Sequence, residues 1–488
     1  MDKETRETKD TKEGKETKDS RWKKLKEELE FEPKPVWDIL SQSEKDEALK
    51  FAEEYKAFLD EAKTERETVR EIIRLAEQHG FVRMDEIRGK KIRPGNKVYT
   101  VNKEKNVALI VTGKEPVWHG INVVGSHVDA PRLDLKPVPL YEDQGIALLK
   151  THYYGGIKKY HWLSHPLALH GVVVTQKGEK INIRIGEAGN DPIFLITDLL
   201  PHLAKDQLQK KLGEAISGEA LNILAGTLPF EEKEAKDRVK LAVLQQLKLK
   251  YGIVEEDLTS AELELVPATM ARDVGLDRSL VGAYGQDDRI CAYTSLRATL
   301  NCQNPLRTAV ALFVDKEEIG STGNTGMRSR FFENTVAELL YLISGQYDEI
   351  YCRKALANGR ALSADVGAAV DPNWEGVHDK LNAPRLGYGI VVTKYTGSGG
   401  KFSTSDANAE FVAEIRRVFN ENKIAWQTGE LGKVDQGGGG TIAQFIARYG
   451  MEVLDCGPAL LSMHAPMEVC HKADLYMCCK AYKAFLNS

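Results

Sequence analysis

Three short runs, residues 107–111 (VALIV), 121–124 (INVV) and 310–314 (VALFV), are apolar almost without interruption. A strand with one wet face alternates apolar and polar residues, whereas a run without alternation must be covered on both faces. Such strands sit at the centre of a sheet flanked by helices, so the runs require an α/β architecture. Helical periodicity around them agrees. Residues 43–63 carry Leu49, Phe51, Ala52, Tyr55, Phe58 and Leu59 at helical spacing, with Ser43 as the expected cap, and residues 64–79 continue the pattern to a stop at Gly80. Further strands are expected at 97–101, 308–314, 360–365 and 453–456, and helices at 331–343, 408–420, 441–448 and 473–486.

The texture changes between about 136 and 277. Residues 171–175 and 180–185 read as strands of a smaller β-rich unit, and the charged stretches 205–224 and 230–249 as helices or loops within it. The economical reading is a mixed-sheet α/β domain, residues 21–135 plus 278–488, interrupted by an inserted domain at 136–277. Residues 1–20 alternate charge and threonine, can bury almost nothing, and are expected to be a disordered tail. With 488 residues, 42% hydrophobic and 28% charged, the chain has the composition of an ordinary globular protein. A net charge of −5 gives no basic surface for nucleic acid. No apolar stretch approaches a signal peptide or membrane helix. Seven cysteines without regular spacing indicate a reduced, cytoplasmic protein.

Five fragments carry chemistry. In INVVGSHVDAP an apolar strand delivers His127 and Asp129, and ligands in open α/β sheets gather beyond the carboxyl ends of strands. A carboxylate two residues on can hold the second ring nitrogen of a metal-binding histidine. GAYGQDDRICAY places Asp287 and Asp288 between a glycine turn and a helix, where acids also serve the helix dipole. AVALFVDKEEIGSTGNTG brings Glu317 and Glu318 to the end of a buried strand, so that one can ligate a metal and the other accept a proton from water. ALSADVG puts Asp365 after a strand, and VLDCGPALLSMHAPMEV sets His464 among small and apolar residues with Glu468 close behind. Each fragment alone also reads as ordinary turn or core chemistry. Together they give His, Asp, Glu, Asp, His in order, mostly after strands, with a spare glutamate. Nitrogen and oxygen ligands without thiolate suit zinc, manganese or cobalt, and a metal pair needs one carboxylate to bridge both ions.

Two other motifs fail. TGSGGK at 396–401 has Tyr395 where a phosphate loop needs glycine. The spacing of Cys470, His471, Cys478 and Cys479 fits no zinc finger, and these thiols read as buried.

In combination GSHVDAPRLDLKP, DDR, DKEEIGSTGNTG, SADV and SMHAPMEV resemble the M18 metallopeptidases, the aspartyl aminopeptidase group among the co-catalytic zinc exopeptidases, over nearly everything after residue 30. The resemblance implies an α/β zinc-exopeptidase catalytic domain with an inserted β-rich dimerisation domain, and hydrolysis of the N-terminal residue of short peptides. It makes His127, Glu318, Asp365 and His464 the terminal ligands of two divalent ions (zinc, or else cobalt or manganese), Asp287 the bridge, Glu317 the general base and Asp129 the residue that orients His127. It implies a strained peptide bond between Asp287 and Asp288. It also makes His202, in ITDLLPHLAKD, a residue that reaches into a neighbouring subunit's site, within dimers assembled into a tetrahedral dodecamer. Lys394, in GIVVTKYTG, matches the family's substrate-binding lysine, and Gly438 and Gly439 its small-residue loop beside the substrate. Leu163, Ser164, His165 and Pro166 stand where the family often has an aromatic–Asp–Arg–Asp stretch, which separates the hydrolytic chemistry from any acidic preference. Rival readings are a carboxypeptidase or deacylase of the same clan and a non-catalytic assembly or cargo protein. The second would be favoured by loss of a ligand or of the base, and every one of those residues is present.

Overall fold

A computed structural model describes residues 22–87 and 92–488; the tail expected at residues 1–20 lies outside them. A nine-stranded sheet runs in the order Val82–Arg83, Lys97–Asn102, Asn106–Val111, Thr308–Val314, Ile121–His127, Arg360–Ser363, Glu452–Gly457, Ile390–Thr393, Trp426–Thr428. It is mixed, and its four central strands, from Thr308–Val314 to Glu452–Gly457, are mutually parallel. Val314 is in register with His127, and Ser363 with both Gly125 and Asp455, so four carboxyl ends open along one edge.

The apolar runs are covered on both faces. Val107, Leu109, Val124, Ala311 and Phe313 point into one core with the helices Gln42–Glu61, Glu65–Gln78, Gln286–Leu300 and Lys472–Leu486. Ala108, Ile110, Val123, Val310 and Leu312 point into the other, with the helices Phe331–Ser344 and Glu349–Ala357. Each fully buried side chain of this size contributes about 1.5–3 kcal/mol.

A second sheet is antiparallel throughout and is built from one continuous stretch of chain. Its order is Lys180–Ile185, Leu167–Val174, Glu262–Pro267, Arg132–Asp143, Ile146–Tyr154, Ile223–Gly226. The helix Arg238–Tyr251 and buried Trp162 close its core. A third sheet of five short strands, Arg272–Val274, Leu280–Ala283, Glu468–His471, Ala459–Leu461 and Gly367–Ala368, stands beyond the open edge of the first.

Several local expectations need correction. The helix Gln42–Glu61 is capped by Ser41, not Ser43: Ser41 and Glu44 form the reciprocal capping box, and Leu49 on this helix is exposed. The stretch 205–224, expected as helix or loop, is mostly loop with two single-turn helices, Lys205–Leu208 and Leu212–Ala215, the 3-10 turn Gly218–Ala220 and the start of a strand at Ile223; Leu203, Leu208 and Leu212 are exposed and give no buried stripe for a longer helix. The following helix begins at Arg238 and ends on Gly252 in the left-handed conformation. The helix expected at 441–448 is a single turn, Ala443–Ile446, continued by the 3-10 turn Ala447–Tyr449. All seven cysteines are free thiols, six of them buried. No helix among the described residues is long and apolar enough to cross a membrane.

Candidate metal centre

The ends of the parallel strands and the turns of the third sheet bring the predicted cluster together. His127 closes the strand Ile121–His127. Glu317 and Glu318 occupy a 3-10 turn after Val314, entered through Lys316 and left through Gly320, both in the left-handed conformation. Asp365 follows Ser363 and accepts the N–H of Val366 at 2.7 Å. Asp287 lies in the non-helical first turn of the buried element Gln286–Leu300, and His464 lies between Ala459–Leu461 and Glu468–His471. The Asp287–Asp288 peptide bond is cis.

Asp287 stands between the two imidazoles. Its Oδ1 is 3.2 Å from His127 Nε2 and its Oδ2 3.2 Å from His464 Nε2. Asp365 Oδ1 is 4.0 Å from His127 Nε2, and Glu318 Oε1 is 3.5 Å from His464 Nε2. Each ring is fixed from behind: His127 Nδ1 lies 3.1 Å from the Asp129 carbonyl oxygen and 3.3 Å from its carboxylate, and His464 Nδ1 lies 2.8 Å from the Gly156 carbonyl oxygen. A carbonyl only accepts, so Nδ1 carries a proton in both rings and Nε2 is the nitrogen that faces the carboxylates and would ligate a metal. That is the tautomer a metal-binding histidine adopts.

The donors fit metal ions. Donor atoms of His127, Asp287 and Glu318 lie within 4.8 Å of one another, as do those of His127, Asp288 and Asp365. Glu318 Oε1 and Asp288 Oδ1 are buried with no hydrogen bond. Asp288 is also committed elsewhere, since its Oδ2 accepts the backbone N–H of His127 at 3.3 Å. Nitrogen and oxygen donors without thiolate match the chemistry of zinc, manganese or cobalt at hydrolytic sites.

Charge crowding shapes the cluster. Burial raises the carboxyls of Glu318 and Asp365, and the neighbouring Asp287 adds to both. Burial also pushes Glu317 up to about 7, with Asp129 and Asp287 adding to the rise against the pull of His127 and His464. Burial alone would raise Asp287 too, but contact with both imidazoles brings it below the usual carboxylate range. His464 rises to about 10 because Asp287 and Glu318 outweigh its burial.

Asp129 does more than face His127. Its Oδ1 accepts the backbone N–H of Glu317 at 3.1 Å, and its Oδ2 accepts that of Glu318 at 3.2 Å and the Tyr154 hydroxyl at 2.8 Å. Tyr154 closes a strand of the second sheet, and the Arg132 guanidinium lies 3.9 Å over its ring. Glu468 performs a similar task opposite: its Oε1 accepts the N–H of His464 at 2.7 Å and its Oε2 that of Asp287 at 3.0 Å. Sequence reasoning did not find Tyr154 or the Gly156 carbonyl, and no local motif marks either. Glu468 was visible only as an acid near His464.

A cavity of about 450 Å³ opens on the cluster. Asp287, Glu317, Glu318, Asp365 and His464 line it, together with Gly438 and Gly439, which pair with Gly397–Ser398 as a short ribbon. Lys394 does not line it; its ammonium donates to Asp406 at 2.7 Å, and its neighbour Thr393 faces the cavity instead. His202 sits on the exposed 3-10 turn Pro201–Leu203, outside the cavity lining of its own chain.

The family described as Aminopeptidase I zinc metalloprotease (M18) matches residues 58–486. A probable M18 family aminopeptidase 1 of Clostridium acetobutylicum is 52% identical over 459 residues, covering 94% of this chain and 98% of its own. The crystal structure of an M18 family aminopeptidase from Thermotoga maritima superposes with a TM-score of 0.90 at 49% identity, covering 94% of this chain and all of the other. At 22% identity the mApe1 dodecamer of S. cerevisiae, with a TM-score of 0.71 and coverage of 89% and 95%, shares the fold.

Proposed function

The chain belongs to the M18 family of metallo-aminopeptidases, and from that premise we propose that it removes the N-terminal residue of short peptides with two divalent ions, zinc in the first instance and cobalt or manganese as substitutes. The observation that carries this reading is the pair of Nδ1-anchored histidines whose Nε2 atoms address the two oxygens of one carboxylate, Asp287. His127 with Asp365, and Glu318 with His464, are the terminal ligands, and Asp287 is the bridge.

When bound, the two ions supply Lewis acidity toward water and toward the scissile carbonyl oxygen. Glu317 is the base: it lines the cavity beside the ligands and carries water's proton to the leaving amine. Asp129 fixes the tautomer of His127 and holds the backbone of both glutamates. Gly438 and Gly439 let a peptide backbone approach closely. Lys394 pairs with Asp406 away from the cavity lining, so the cation that the resemblance offers for an acidic substrate does not stand on the cavity wall.

We also propose that the stretch 136–277 is an inserted dimerisation domain, that 21–135 plus 278–488 is the catalytic domain, and that His202 completes a neighbour's site in dimers built into a tetrahedral dodecamer. Around His202 the leucines 199, 200, 203, 208 and 212 are all at least half exposed, an apolar surface that a second copy would cover. The M18 mApe1 dodecamer is a precedent for the assembly. Seven free thiols favour the cytoplasm.

Paired variants test the roles. Glu317→Gln is expected to keep both ions and lose roughly 10²–10⁴ in kcat, whereas Glu318→Gln is expected to lose metal on dialysis. Metal analysis with the opposite result would reverse the assignment.

A further inference from the structure

The chemistry of the cavity beyond the metal cluster bears on which N-terminal side chain it accepts. Among the described residues, no lysine or arginine lines it. The charged groups outside the cluster are Glu430 and Asp455. Asp455 lies on Glu452–Gly457 between Ser363 and Thr393 in register, and is 3% exposed. Its Oδ1 accepts the Thr441 hydroxyl at 2.6 Å, while its Oδ2 is buried with no hydrogen bond. Burial raises its carboxyl to about 6 against the pull of the Thr441 and Ser363 hydroxyls, and a cation brought to the cavity wall beside it would favour the ionised form. Glu430, half-buried, accepts the Tyr395 hydroxyl and keeps its second oxygen for another donor. Thr393, the last residue of its strand, faces the cavity, whereas Lys394 just beyond the strand end shares the Asp406 carboxylate with Lys401, outside the cavity lining. Leu431, Phe445 and Met463 supply apolar lining suited to the methylene stem of a long side chain.

We propose that this cavity selects peptides with a basic N-terminal residue, lysine or arginine, with Asp455 and Glu430 as the counter-groups. The inference rests on the aminopeptidase reading of the same site. The test compares kcat/KM of the zinc-loaded protein on Lys-, Arg-, Leu-, Asp- and Glu-p-nitroanilides. Lysine and arginine are expected to exceed leucine by about 10- to 100-fold, the range that one charge-assisted hydrogen bond confers, with aspartate and glutamate last. Glu430→Gln and Asp455→Asn should each reduce the Lys:Leu ratio, and Thr393→Lys should raise Asp and Glu above Lys. If Asp455→Asn does not fold, the other two variants decide.

Leucine ahead of lysine, an acidic residue equal to lysine, or an unchanged Lys:Leu ratio in the variants overturns the inference. Acidic-first turnover would do so while leaving the aminopeptidase reading intact. Absence of turnover on every substrate would remove that reading and this inference with it.

Discussion

Replacing Asp129 with asparagine isolates what holds the site together. The carboxylate is fully buried and has acceptors on both sides: Oδ1 toward the Glu317 N–H and His127 Nδ1, Oδ2 toward the Glu318 N–H and the Tyr154 hydroxyl. Asparagine keeps one oxygen and turns an amide NH₂ toward the other pair. With the NH₂ on the Oδ2 side, Tyr154 can rotate to accept, but the Glu318 N–H then faces a donor. A hydrogen bond to a charged group contributes ~1.5–3 kcal/mol and an orphaned donor costs ~1–3 kcal/mol. The loss of about 2–4 kcal/mol falls on the turn that carries a proposed ligand and the proposed base. Zinc affinity, measured by chelator competition, should therefore drop about 10- to 100-fold, as for other groups that orient metal ligands, and kcat at saturating zinc should fall as well. Tyr154→Phe removes one donor and leaves both backbone N–H donors to Asp129 in place, so its effect on affinity should stay below about tenfold. Zinc affinity in Asp129→Asn within twofold of wild type would refute the reasoning, because the carboxylate would then be only a neighbour of His127.

Mixing a Glu317→Gln subunit with a His202→Ala subunit, each nearly inactive alone, should restore activity if His202 works across an interface; no recovery in subunits shown to exchange would assign it to its own chain or to no role. Glu468→Gln keeps one of the two acceptors that hold His464 and Asp287, and equilibrium dialysis should show zinc affinity lowered by about tenfold or more. His471 is held neutral, pushed down by burial from 6.5 to about 4, and its Nδ1 accepts the Ala473 N–H at the start of the last helix. The folded state therefore takes up fewer protons there than the unfolded chain, and the contribution of this histidine is present above pH 6.5 and lost as pH falls toward 4. Denaturant titrations should show wild type losing about 2 kcal/mol relative to His471→Asn between pH 6.5 and 5; equal pH dependence in the two proteins would contradict this.

The centre of the fold was legible because complete burial leaves a local mark. Val107–Leu109–Val111 and Ala108–Ile110 face opposite cores, and only a run without alternation can satisfy both. The residues brought together at the site were legible for a related reason: His127, Glu317, Glu318 and Asp365 all follow strands whose carboxyl ends align in a parallel array. The third sheet left no comparable trace. Its strands are two to four residues long, too short to express a period. The apolar pattern alone points to Ser43 rather than Ser41 as the cap of Gln42–Glu61. The capping box would have corrected this, since Glu44 stands three residues after Ser41 and Asp46 three after Ser43. The hold of Asp129 on the Glu317 and Glu318 amides joins residues 188 and 189 positions apart, and nothing local announces it.

Lys394 shows how a motif can be read one residue out of phase with the geometry. GIVVTKYTG offers a single cation after an apolar run, and a search by residue type stops on it. Val391, Val392 and Thr393 pair with Gly457, Cys456 and Asp455, the strand stops there, and the cavity lies on the side that Thr393 faces. The strand ends at Thr393, so the lysine one residue beyond it leaves the sheet and pairs with Asp406, and a hydroxyl with an acidic neighbour takes the inner position. The sign of the charge on the cavity wall thus depends on where the strand ends and which side chain faces inward rather than on which residues the segment contains.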